Sequence, residues 1–447
     1  MAKFFKKDDE TFLEYKQRVV DDISPSFCAA KWYNATISLH EGTTSSCHHP
    51  KSHIIPKNEL INNPSALHNT NFKKEKRKEM LNGVRPKECE YCWKIEDNHI
   101  NNISDRVYKT SIYEEKEIKK IIDVYGWNKN SILKTLEISF DSNCNFACSY
   151  CNPTFSTLWQ SDIIKNGVYE ITNEYDNNTK FKFGNSTIDD EYINAFWLWW
   201  DSELKNTLTE LRITGGEPTL SKHFWNLIDW WKINQPKIDF AVNSNLGQNT
   251  KITNKLIDAT HYFDHFTLYT SNESFGKHSE YIRDGLNWNL WWNNLNDFFK
   301  NGKTFGISMM MTINALSLFS LLEFMNKMME LKNKYNRISP GCSFNILRHP
   351  NFQSVLVLDS DIRFKIADEI ENWVEKNWCG GKNYFMEWEK NDMLRLSNYL
   401  KENDLENKYG INISECRTNF KNFYTQYDIR RNKNFIETFP MISHMMQ

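Results

Sequence analysis

With 447 residues, 53.2 kDa and a formal net charge of −2, the chain has room for roughly two or three domains and carries no overall basic field, which argues against nucleic acid or an anionic membrane as its partner. Aromatic residues make up 14%, including sixteen Trp, the composition of an ordered globular protein rather than a disordered one. No apolar run reaches membrane-spanning length, and Met1 to Asp9 turns acidic before a signal-peptide core can form, so the ten cysteines are expected as reduced thiols and metal ligands in a cytoplasmic protein.

Four cysteines come first. Cys28 lies between Phe27 and Ala29, Cys47 precedes His48-His49-Pro50, and Cys89-Glu90-Tyr91-Cys92 is a knuckle of the kind that puts two thiolates on one metal. His48, His49 and His53 crowd Cys47, where imidazole can replace a thiolate or act as a donor behind one; surface and capping roles are the plainer expectation. Ligand type alone leaves open an iron–sulfur cluster, structural zinc, or unliganded core thiols. The run Lys73-Lys74-Glu75-Lys76-Arg77-Lys78 reads as the solvated face of a helix whose buried side begins at Met80 and Leu81.

From residue 134 onward, strand-like and helix-like segments alternate, with strands expected at 135–140, 208–214, 237–243, 264–270, 304–312 and 342–347. That alternation predicts a parallel sheet with right-handed crossovers, whose ligands gather at the C-terminal strand ends. The first of these strands runs into Cys144-Asn145-Phe146-Ala147-Cys148-Ser149-Tyr150-Cys151, three cysteines spaced C-x3-C-x2-C. A closed structural zinc site or a fully ligated cubane takes four protein ligands; three leave one metal position for something that is not protein. Residues 166–189 form an Asn-rich insertion, expected as a surface loop or short hairpin. The second strand runs into Gly215-Gly216-Glu217-Pro218, where glycines let backbone approach a ligand, the carboxylate can accept from an ammonium group, and proline stiffens the exit.

Later strand ends offer Asn243 and Ser244, then Ser271, then Asn314, with Arg283 in Glu280-Tyr281-Ile282-Arg283-Asp284-Gly285. Polar residues populate any loop after a strand, so these are weaker candidates. The Trp-rich stretches 196–200 and 288–292 suit either helix packing or an apolar pocket wall. Cys342, Cys379 and Cys416 are expected as packing thiols, and residues 385–447 as helices.

The cysteine loop and the Gly-Gly-Glu-Pro turn, in this order and both at strand ends, resemble the radical S-adenosylmethionine (SAM) superfamily. The upstream cysteines and the chain's end, Tyr427 to Pro440, resemble its N-terminal twitch proteins, with an auxiliary cluster domain of SPASM/twitch type. The resemblance implies an α/β fold: a partial (β/α)6 barrel at 129–378, a small N-terminal auxiliary iron–sulfur (twitch) domain at 1–128 and a C-terminal helical cap at 379–447. It implies that Cys144, Cys148 and Cys151 hold a [4Fe–4S] cluster whose free iron chelates SAM. Tyr150, Gly215, Gly216, Glu217, Pro218, Asn243, Ser244, Ser271, Arg283 and Asn314 would bind SAM, and Cys28, Cys47, Cys89 and Cys92 a second, auxiliary [4Fe–4S] cluster. Such enzymes cleave SAM reductively to a 5′-deoxyadenosyl radical that abstracts hydrogen from substrate, and a flavodoxin- or ferredoxin-type reductant is implied. A peptide or protein side chain is the leading substrate class, and a carbohydrate or nucleotide small molecule the alternative. A reading of a different class is a non-catalytic zinc-binding interaction protein.

Overall fold

This computed structural model describes residues 4–99, 101–171 and 190–447, with the side chains of all but 406 and 407 in the last stretch. The expected insertion at 166–189 lies outside the described residues from 172 onward. Among the described residues the strands are, in chain order, β1 Asn34–Ser38, β2 Thr43–Ser45, β3 His53–Ile54, β4 Thr135–Ser139, β5 Ala147–Cys148, β6 Glu210–Thr214, β7 Asp239–Ser244, β8 Phe266–Ser271, β9 Arg283–Asp284, β10 Gly306–Ile313 and β11 Gly341–Ile346. Each of the six strands expected from residue 134 onward is present within one to two residues at either end.

The chain divides into two compact units. One comprises Met1–Asp141, Thr187–Ile213 and Pro236–Asp239. Its strands lie in the order β6-β4-β1-β2-β3, with β1 parallel to β4 from the Asn34↔Thr135 pair to Ser38↔Ser139, and β2 antiparallel to both β1 and β3. β1, too short to stand out in sequence, owes its place to Ala35 and Ile37, which alternate inward and are fully buried. Beside the strands lies a core of Tyr15, Val20, Phe27, Trp32, Tyr33 and Trp93, against which Cys28 and Cys89 are packed and in which Cys92 is buried.

The other unit comprises Ser142–Ser186, Thr214–Gln235 and Phe240–Gln447. Strands β11-β10-β8-β7 run in that order, all parallel, as the helical crossovers between them require. The crossover helix Trp288–Asn301 begins where the Asn287 side chain accepts from Leu290 N–H at 2.9 Å, and buries Trp291, Leu295 and Phe298 at i, i+4 and i+7. Trp199, Trp200 and Trp291 are all buried in helix packing, so those parts of the Trp-rich stretches are core. Cys342 and Cys416 are buried thiols and Cys379 is exposed. Helices Glu387–Leu400 and Ile413–Arg431 bear out the helical expectation for the C-terminal residues. No helix among the described residues is long and apolar enough to cross a membrane.

Register sets the site. Ser244 pairs with Thr270, and Ser271 with Met310, so β7, β8 and β10 end at one edge of the sheet.

Candidate functional site

The cysteine loop is gripped by two glycine turns. A Cβ on Gly216 would lie 2.3 Å from Asn143 O and 2.7 Å from the Ser142 carbonyl carbon. One on Gly285, whose φ is 101°, would lie 2.5 Å from Asn145 O. The backbone approach that glycine permits at 216 is therefore to the cysteine loop itself, and Glu217 N–H donates to Asn143 O at 2.6 Å to close the contact. Gly215, half-buried with φ 123°, makes the turn into it.

Within the loop, Cys148 is buried and Cys144 and Cys151 are partly so. N–H groups face the sulfurs: Phe146 N at 3.4 Å and Asn245 Nδ2 at 3.9 Å from Cys144 Sγ, and Arg283 Nη1 at 3.8 Å from Cys148 Sγ. Burial is the main cause that pushes the thiols up, Cys144 to about 12 and Cys151 to about 11, with Cys148 raised as well; the neighbouring cysteines add to it for Cys144 and Cys148. Three sulfurs in one loop, two of them with donors aimed at them, suit a bound metal cluster, which both removes the protons and supplies acceptors.

The Glu217 carboxylate is turned inward, 1% exposed. Oε1 accepts from Thr219 N at 3.1 Å, Thr219 Oγ1 at 2.6 Å and Ser244 Oγ at 2.9 Å, while Oε2 accepts from Asn245 N at 2.7 Å. Its role here is to cap the short turn Pro218–Leu220 and tie it to the end of β7; burial raises its pKa, against the pull of those donors. An ammonium ligand would meet an acceptor already engaged four times.

Arg283 is tied in the same way. Its Nη2 and Nε lie 2.5 and 3.2 Å from Glu273 Oε2, Tyr150 Oη donates to Glu273 Oε1 at 3.2 Å, and the guanidinium lies 5.5 Å from the centre of the Tyr150 ring. Burial works against the charge on Arg283, but Glu273 more than offsets it and the guanidinium stays protonated. Arg283 reaches this place because β9 pairs with β5, Cys148 opposite Arg283. Glu273 lies in the turn after β8, where the sequence offers a carboxylate partner, and is fully buried.

Of the weaker candidates, Asn314 is buried and spent on its own turn: Oδ1 accepts from Leu316 and Ser317 N–H at 3.0 and 3.1 Å, and Nδ2 donates to Thr312 O at 2.9 Å. Asn243 and Ser271 are half-buried near the C-terminal ends of β7 and β8. A cavity of about 100 Å³ borders Tyr150, Cys151, Gln353 and Phe423, well short of the volume a ligand as large as SAM needs.

In the other unit, Cys28 and Cys89 pack against the core in which Cys92 is buried, and burial, followed by the charges of Cys47, Cys92 and Cys89, pushes the Cys28 thiol up to about 12. Cys92 is raised to about 11, again chiefly by burial. His48 and His49 turn to Asp105, at 3.6 and 2.7 Å, and His49 stacks on Tyr91 inside the knuckle at 3.7 Å. His53 meets Thr70 Oγ1 at 2.9 Å. The basic run departs from expectation: Lys73 and Arg77 are 1% and 0% exposed, because they share a helix face with Met80 at i, i+4 and i+7. Lys31, unremarked in the sequence, is buried against Glu88.

Among the described residues, the one group of three His, Cys, Asp or Glu side chains whose ligand atoms all lie within 4.8 Å of one another is His48, His49 and Asp105. Thiolates on a single tetrahedral zinc, with Zn–S about 2.3 Å, would stand about 3.8 Å apart. Neither cysteine set is drawn in that tightly.

No protein-family model matches the chain, and no curated protein sequence does. Among solved structures it is similar to Streptococcus suis SuiB bound to S-adenosylmethionine, at 15% identity and a TM-score of 0.36, covering 70% of this chain and 61% of that one. It is similar to anSMEcpe with bound AdoMet and a peptide, at 16% identity and a TM-score of 0.34, covering 54% and 60% of the two chains. SuiB bound to its precursor peptide SuiA gives 13% identity and a TM-score of 0.35, covering 77% and 69%. The chain thus spans about six tenths of the first two structures.

Proposed function

We propose that this chain is a radical SAM enzyme with a partial (β/α)6 barrel at 129–378, an N-terminal twitch-like domain at 1–128 and a C-terminal helical cap at 379–447. The observation that carries the reading is the cysteine loop: three sulfurs at the end of a strand, with N–H donors aimed at two of them. Cys144, Cys148 and Cys151 would hold a [4Fe–4S] cluster, and Cys28, Cys47, Cys89 and Cys92 an auxiliary one. When bound, the first cluster passes one electron to SAM, which yields methionine and a 5′-deoxyadenosyl radical that takes a hydrogen atom from substrate.

The chain's own residues do the positioning. Gly216 and Gly285 clamp the loop, and Glu217 locks the Gly-Gly-Glu-Pro turn to β7. Arg283, held by Glu273, places fixed positive charge beside Cys148. Tyr150, Gly215, Asn243, Ser244 and Ser271 lie on the cysteine loop or at the strand ends, where SAM would bind; Glu217, Pro218 and Asn314 act from behind as supports. A peptide or protein side chain is the proposed substrate, on the resemblance to twitch and SPASM proteins, and a flavodoxin- or ferredoxin-type protein the reductant. A cytosolic setting suits ten cysteines with no disulfide among them.

The test is anaerobic reconstitution, followed by iron and sulfide counts and then dithionite and SAM. About eight irons per chain and 5′-deoxyadenosine are expected. Replacing Cys144, Cys148 and Cys151 with Ala should abolish the deoxyadenosine and leave about four irons. Deoxyadenosine from the triple variant, or stoichiometric zinc without iron, would refute the reading.

A further inference from the structure

We propose that His48, His49 and Asp105 form a binding site for one divalent transition-metal ion, zinc in the first place, separate from both cysteine sets. The inference does not depend on either cluster.

Two imidazoles converge on one carboxylate oxygen. His49 Nε2 lies 2.7 Å and His48 Nε2 3.6 Å from Asp105 Oδ2. The first distance is a hydrogen bond and the second is too long for one. An ion seated among the three would partner all of them. Ligand atoms held at about 2.0–2.2 Å from one tetrahedral zinc ion stand roughly 3.3 Å apart, and the two observed distances lie on either side of that value. Small side-chain rotations would therefore close the site. The group is also held in place: the His49 ring stacks on Tyr91 at 3.7 Å and 13°, and lies 4.1 Å from the ring of His48, while Asp105 stands in the first turn of the helix Asp105–Ser111. Among the described residues, no cysteine sulfur lies within 4.8 Å of all three ligand atoms.

The donor set selects the ion. Two imidazoles and a carboxylate suit zinc and its first-row neighbours, whereas magnesium and calcium take oxygen throughout. Three protein ligands leave a coordination position open, as in zinc sites that bind a further molecule rather than in closed structural ones. That position is within reach here: the His48 side chain is 60% exposed and borders a cavity of about 220 Å³, lined also by Lys109, Glu137, Glu210 and Arg212. Water or a small anion would complete the shell.

The experiment uses the full-length chain after anaerobic reconstitution, dialysed against a series of zinc concentrations. Iron and zinc are counted by mass spectrometry, and zinc-edge X-ray absorption reads the neighbours of the bound zinc. One zinc per chain is expected with nitrogen and oxygen at about 2.0–2.2 Å and no sulfur at about 2.3 Å. His48→Ala and Asp105→Asn should each weaken it by about tenfold or more, because even partners standing behind a metal ligand cost that much when removed. His48 is exposed and Asn keeps the shape of Asp, so both variants should fold. Unchanged zinc affinity in the two variants would reduce the group to a hydrogen-bonded pair and overturn the proposal. Zinc bound by sulfur and unmoved by either change would place the ion on the cysteines, and overturn it equally. The iron count reports on the clusters alone, so the site stands or falls on the zinc that these two variants release.

Discussion

Arg283 stands directly across a two-residue antiparallel pairing from Cys148, and its Nη1 lies 3.8 Å from that cysteine's sulfur while Nη2 holds Glu273 at 2.5 Å. One side chain thus joins a metal-ligand candidate to a carboxylate on a different strand end. Charge, not sidedness alone, organises this corner of the site.

Because Arg283 is 4% and Glu273 0% exposed, each leaves a buried charge behind when the other is removed. Arg283→Met should destabilise the chain by about 3 kcal/mol or more, and Arg283→Met combined with Glu273→Met should recover most of that loss. Urea denaturation of the four proteins of the cycle measures the coupling. Additive losses would mean that the pair does not act as a unit.

Gly216→Ala should empty the site. The new Cβ would meet backbone at 2.3 Å, which cannot swing away as a side chain can, so the cysteine loop must shift. Reconstituted iron should fall by about half while the auxiliary iron stays. The control is Gly306→Ala, where the Cβ would find ordinary contact with Thr267 at 3.9 Å, and iron should not change.

Asn314→Ala should cost about 1 kcal/mol through the lost turn bonds, with SAM affinity within about twofold of the parent. Calorimetric titration of reconstituted protein with SAM checks it. A loss of about tenfold or more would make Asn314 a direct ligand contact.

Glu96 carries the pH dependence of the auxiliary-site unit. Burial raises its pKa, but Arg106 and Ser104 outweigh that and leave it below 4.5. A carboxylate with a depressed folded pKa stabilises fully above its unfolded value and progressively less as pH falls through the folded one. Glu96→Gln should therefore cost about 2 kcal/mol near pH 7, and the gap to the parent should narrow below about pH 4.5. Denaturation curves of the metal-free proteins at the two ends of that range give the answer.

What the chain's residues reveal by themselves are the local facts. Six strands declare themselves by alternation, and the cysteine triplet and the Gly-Gly-Glu-Pro turn stand at fixed spacing after two of them, because strand period and ligand spacing are written in consecutive residues. Tertiary structure decided what depends on distant neighbours. Arg283 and Cys148 are 135 positions apart, Glu217 meets Ser244 27 positions on, and the Gly216 turn lies on the backbone of residues 142–143. Lys73 and Arg77 read as solvated lysine and arginine because hydrophobicity by residue type puts them outside. They are inside because their helix face continues to Met80, and because carbonyl oxygens of Ser45 and Lys31, far off in sequence, accept from their side chains.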